Sequence, residues 1–171
     1  MTLSPGLRRF TLTVHIVSSV GWIGALATFL ALAVAGLASA DAQTVRAAYL
    51  AMELITWSVI VPLALVAFTS GMVQALGTEW GLLRHYWVLF KLLIVAAATF
   101  MLLMKTGPIA DMARIAAESA LGADDVRGLR LSLLGHAVGG LAVLIWAAAL
   151  ARYKPPGLTK YGWRKLHGPG A

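Results

Sequence analysis

Four runs of apolar residues dominate this chain, at 10–38, 49–76, 86–104 and 131–150. A hydrocarbon core of about 30 Å takes ~20 residues of helix to cross, and each run is near or above that length. Lipid offers the backbone nothing to bond, so every amide must find its carbonyl inside its own segment. The runs lack the alternation of strands, which selects helices over a barrel. The expectation is an all-α polytopic membrane protein: a four-transmembrane-helix up-down bundle in residues 1–153, followed by a basic tail, 154–171. Composition agrees, with 60% of the 171 residues hydrophobic and 12% charged, against ~25% charged in soluble domains. Cysteine is absent, which excludes disulfides, zinc-thiolate and iron–sulfur ligation, and thiol catalysis.

The flanks set a direction. Arg8, Arg9, Arg84, Arg152, Lys154, Lys160, Arg164 and Lys165 would share one side with a single acid, Glu79. On the other side Arg46, Lys105, Arg114, Arg127 and Arg130 would stand against Asp41, Asp111, Glu118, Asp124 and Asp125. The positive-inside bias then puts both termini in the cytoplasm. The net charge of +7 is read as orientation, and nucleic acid is not expected as a partner, since it needs a larger basic surface. Ala38-Ser39-Ala40 imitates a signal-peptidase site. The apolar run before it is nearly twice the ~7–15 residues of a secretory core, so a retained span is expected. In the third connection Pro108 is read as opening a separate short amphipathic helix, 109–121, with Ile109, Met112, Ile115 and Ala116 on its apolar face. The tail, with Pro155-Pro156-Gly157 and then Tyr161, Trp163, Arg164 and Lys165, suits an extended segment on lipid headgroups.

His15, Glu53, Lys91 and His136 each interrupt a different run. A charged side chain at mid-bilayer costs roughly 2.5–3.5 kcal/mol on insertion scales, so such groups turn to the bundle interior and mark function. His15 is six residues past Arg9 and Lys91 seven past Arg84, which sets both ~9–10 Å in from the cytoplasmic flank. His136 is six past Arg130 and Glu53 seven past Arg46, a similar depth from the outer flank. An inner pair, His15 with Lys91, and an outer pair, Glu53 with His136, are expected to meet across the diagonals of the bundle. Ser18, Ser19 and Trp22 follow His15 on one helical face, and Trp87 shares the face of Lys91. Thr69, Ser70 and Gln74 reach the same level from the second run. The alternative for Lys91 is an amine that snorkels to the interface.

At the outer level Trp57 lies one turn from Glu53, and His136 falls inside Gly135-x-x-x-Gly139, a spacing that lets helices approach closely. Met52, Met101 and Met104 belong to the same half. With Glu53 and His136 they would line a soft-metal site, since thioethers suit Cu(I). The plainer alternatives are methionine as packing and Glu53–His136 as a structural couple. Pro62 is expected to break a backbone hydrogen bond within the second helix.

His15-Ile-Val-Ser-Ser-Val-Gly-Trp22-Ile-Gly24 resembles the first-helix pattern of small bacterial four-helix membrane proteins. Tyr86-Trp87-Val-Leu-Phe-Lys91-Leu-Leu is similar to the aromatic-x-x-x-Lys opening of a later helix there. Tyr153-Lys-Pro-Pro-Gly-Leu-Thr-Lys-Tyr161-Gly-Trp-Arg-Lys looks like the tail of actinobacterial members. By this pattern the copper-resistance protein D group and the HemJ-type protoporphyrinogen oxidases are distantly similar. The resemblance implies a bacterial inner-membrane protein in which His15 ligates haem b, with Lys91 as the matching buried lysine beside a propionate and Ser18, Trp22 and Trp87 around them. Where HemJ has a second histidine ending the third helix, Met101 and Met104 stand here. His15 and His136 differ by roughly 10–12 Å in depth, which rules out joint ligation of one iron by that pair. The function expected is haem b-binding or redox-associated, with a membrane redox partner or a homo-oligomer as company. The alternatives are a small transport or copper-handling protein using the outer site and a non-catalytic assembly factor. Whether the protein is an enzyme stays open.

Overall fold

Ser4 and Pro5 start the first helix. The Ser4 hydroxyl accepts from the Leu7 amide, and Pro5 has no N–H to leave unpaired in the opening turn. A computed structural model describes residues 3–77, 82–118, 124–153 and 157–168, with the side chains of 124, 125 and 165–167 left out. Glu79, Leu121, Lys154, Pro155 and Pro156 therefore lie outside the described residues, and only the backbone of Lys165 is described. The first helix runs unbroken over Pro5–Ala38, about 50 Å of rise. Three further helices, Ala42–Gly77, Tyr86–Ala117 and Val126–Tyr153, share its length and apolarity, so four are able to cross a membrane. A short C-terminal helix spans Lys160–His167. No strand occurs among the described residues, only an isolated bridge between His85 and Leu158.

Asp41 begins the second helix. Its carboxylate accepts from the Gln43 and Thr44 amides and from the Thr44 hydroxyl, satisfying amides that have no partner within the helix. Pro62 leaves a backbone hydrogen bond unmade within this helix, which nevertheless continues. Proline cannot donate to the residue-58 carbonyl, and its ring crowds that oxygen. The misfit moves one turn back into a π turn, Thr56–Ile60, where the Val61 amide reaches five residues back to the Thr56 carbonyl. The buried Thr56 hydroxyl donates to the Met52 carbonyl at 2.6 Å.

The third connection differs from the expectation. Pro108 lies inside the third helix, which continues through it to Ala117. Ile109, Met112 and Ala116 pack into the same core as Val45, Tyr49 and Met52, and this burial carries the helix past the proline. The two faces read from 109–117 are present, since Asp111 and Arg114 are exposed and ion-paired at 3.4 Å. They extend a long helix and do not make a separate one.

The first helix packs on the second and the fourth, and the third packs on the same two. The Leu3 amide donates to the Gly77 carbonyl at 3.1 Å, and the Thr159 amide to the Arg84 carbonyl at 2.9 Å. Both ends of the described chain thus share one end of the molecule with the second connection. The segment from Gly157 onward does not run free. Thr159 caps the C-terminal helix and its hydroxyl donates to the Leu83 carbonyl, while the Tyr86 amide donates to the Gly157 carbonyl at 3.2 Å. A side chain at Gly162 would overlap the Arg84 carbonyl, so the glycine permits this docking. Much of the remaining surface is apolar, with Phe10, Leu54, Phe90, Phe100 and Trp146 all exposed. Such a surface suits lipid.

Candidate functional site

His15 lies at the middle of the first helix's termini-side half, facing the second and third helices. Its Nδ1 is 3.0 Å from the Ala67 carbonyl and 3.2 Å from the Ser70 hydroxyl. A carbonyl only accepts, so Nδ1 carries the hydrogen and donates. Nε2 is 3.3 Å from the Lys91 amine. The inner pair expected from depth is thus in contact, across the diagonal between the first and third helices. Lys91 reaches into the bundle, not along the helix to an interface.

With Nδ1 donating to a carbonyl, Nε2 and the Lys91 Nζ can hydrogen-bond only if one donates and the other accepts. An ammonium or a neutral amine can donate to the neutral imidazole, or an imidazolium can donate to a neutral amine. While the contact is kept, the two bases hold at most one positive charge between them, and the bond that Nδ1 makes sets the imidazole's tautomer. The packing is tight. A Cβ on Gly71 would lie 2.9 Å from His15 Cε1. Neither Gly71 nor the Ala67 carbonyl was singled out in the sequence; the signal that could have found them is the small-residue spacing Ala64, Ala67, Ser70, Gly71.

Of the other inner residues Ser70 joins the ring at Nδ1, whereas Ser18 and Trp22 turn elsewhere. Ser18 is buried, but its hydroxyl donates to the Val14 carbonyl of its own helix at 2.8 Å. Trp22, 3% exposed, belongs to the core and to the wall of a cavity that His15 does not line. Trp87 is half-buried one turn before Lys91. A haem b would need the Nε2 lone pair turned to iron and a slot beside it. Here Nε2 faces an amine, and the cavity of about 600 Å³ in this bundle does not include His15 in its wall. As arranged, His15 and Lys91 do not fit a haem ligand set.

The outer pair does not form. His136 is exposed and its Nδ1–H donates to the Ser132 carbonyl of its own helix at 2.6 Å. Glu53 is half-buried and makes no ion pair with it. The second and fourth helices do meet across the core at this end, one turn or so further out, where the Arg130 guanidinium lies 5.5 Å from the centre of the Tyr49 ring. The methionines scatter as well. Met52 is in the core, Met101 lines the cavity with His136, and Met104 is 62% exposed. No group of three or more His, Asp or Glu side chains suited to a metal occurs among the described residues. Gly135 and Gly139 admit no neighbouring helix, since a Cβ on either would meet nothing within 4 Å.

No family model, no curated protein and no solved structure matches the chain.

Proposed function

We propose that this is a multi-pass integral membrane protein whose four spans pack up and down in the bilayer with both termini cytoplasmic, and whose working centre is the His15–Lys91 pair. The pair is a proton-holding couple in the inner half of the membrane, serving a redox or transport reaction. One observation carries the reading: Nε2 and Nζ stand 3.3 Å apart while Nδ1 is tied to a carbonyl. A lysine buried only for structure meets a carboxylate or reaches for the interface. This one faces another base. Two bases that share one proton can take up or release it with little movement, which is the chemistry of intramembrane proton relays.

The test follows the ring directly. ¹⁵N-histidine protein in lipid nanodiscs is titrated while the His15 ring signals are read, for the native chain and for Lys91→Met. Removing Lys91 should move the His15 titration and free one proton-binding step. A His15 titration identical in both proteins would overturn the couple. A Soret band in protein from haem-replete cells, lost in His15→Ala and kept in His136→Ala, would replace this reading with haem ligation.

A further inference from the structure

The bundle contains a second feature that the proton-holding pair does not use. A cavity of about 600 Å³ opens between the third and fourth helices, with Trp22, Leu26 and Phe29 of the first helix and Thr56 and Ile60 of the π turn behind it. That volume is in the range of small-molecule pockets, ~300–1,000 Å³. Its wall runs from Ile94 to Ile109 on the third helix and from Ser132 to Leu144 on the fourth. Along the fourth helix that is ~18 Å at 1.5 Å per residue, a little over half of a hydrocarbon core of about 30 Å. The cavity is therefore about one leaflet deep.

Its polarity is graded along that length. Lys105, Ser132 and His136 stand at the end away from the termini, and the deep end is formed by Trp22, Ile94, Val143 and Leu144. Among the described residues no acid lines it, and Lys105 has no ion-pair partner there. His136 uses Nδ1 on the Ser132 carbonyl, which leaves Nε2 for another group. The glycines help to make the space. Gly135 and Gly139 lie in the wall with open space where a Cβ would be, so what reads in the sequence as a helix-contact motif is a missing volume.

We propose that this cavity binds a long-chain carboxylate, with its single apolar chain laid one leaflet deep between the third and fourth helices and its carboxylate at Lys105 and His136. One formal cation at the mouth matches one negative charge, and a carboxylate oxygen accepts from the ammonium. A slot that runs ~18 Å along the fourth helix suits one chain lying along the helices. The site is separate from His15–Lys91, so either reading can fail alone.

Binding of tritiated palmitate to the protein in phosphatidylcholine nanodiscs tests it, with hexadecanol and hexadecyl phosphate as competitors. One saturable palmitate site is expected per chain. Lys105→Met should weaken it at least tenfold and Lys105→Arg should restore most of it. Gly139→Leu should abolish it by filling the slot, and Gly135→Leu serves the same purpose should the first variant fail to fold. Palmitate binding unchanged in the folded leucine variant would overturn the site. Competition by hexadecanol as effective as by palmitate would overturn the role of the charge, and stronger competition by hexadecyl phosphate would overturn the carboxylate.

Discussion

Gly71 decides where the His15 ring can sit. With its Cβ position 2.9 Å from Cε1, even alanine must push the ring away from the Ala67 carbonyl or part the first two helices. Overpacking of this kind costs about 1–3 kcal/mol. Gly71→Ala should therefore lower stability in mixed-micelle unfolding by that amount and shift the His15 ring resonances. Gly135→Ala, which has room in its helix, should leave the His15 resonances unchanged and not lower stability. Unaltered His15 resonances in Gly71→Ala would count against the packing described. His15 and Lys91 were legible as a pair because depth follows from counting residues along a helix. Their third partner was not, because it is a backbone oxygen, and every residue has one.

Helix ends were readable in part, and their chemistry makes one of them pH-sensitive. Asp41 is exposed, and its carboxyl is held below its ordinary value of 3.8 first by the Thr44 hydroxyl and then by the Thr44 and Gln43 amides. The depressed value means the cap's stabilisation is complete above the ordinary value and is lost as pH falls through the lower, folded one. NMR of the Gln43 and Thr44 amides should show an intact first turn from neutral pH down to that value and fraying below it. Asp41→Asn keeps a capping oxygen without the titration, so its amide signals should not follow acid. The prolines were harder to place. Pro62 costs one backbone hydrogen bond, which a neighbouring π turn accommodates, and Pro108 looks like a boundary, yet burial of Ile109, Met112 and Ala116 carries the helix past it. Local sequence states the strain of a proline, and tertiary contact decides whether the helix stops there.

At the scale of the whole molecule, both ends of the described chain and the second connection lie together, so one labelling experiment orients everything. The chain has no cysteine, and a single introduced one reports its own side. In intact cells a membrane-impermeant maleimide should label Ala40→Cys and not Leu83→Cys, both positions being exposed. Inside-out vesicles should give the reverse. The opposite pattern would invert the proposed orientation, and labelling of both from one side would rule out the alternating crossings. The amino-acid sequence by itself determined four apolar helices and the spacing of each polar group along its helix, because length and rise are one-dimensional quantities, though not that the third helix runs on to Ala117. Only the tertiary structure decided which way each group faces. In water the apolar stripe of a helix marks its inner face, but in lipid the outside is as apolar as the core, and Phe90 or Trp146 can be exposed where Met52 is buried. The pattern that would have turned Glu53 and His136 away from each other, and opened a cavity at Gly135 and Gly139, is therefore absent from the sequence and set by packing.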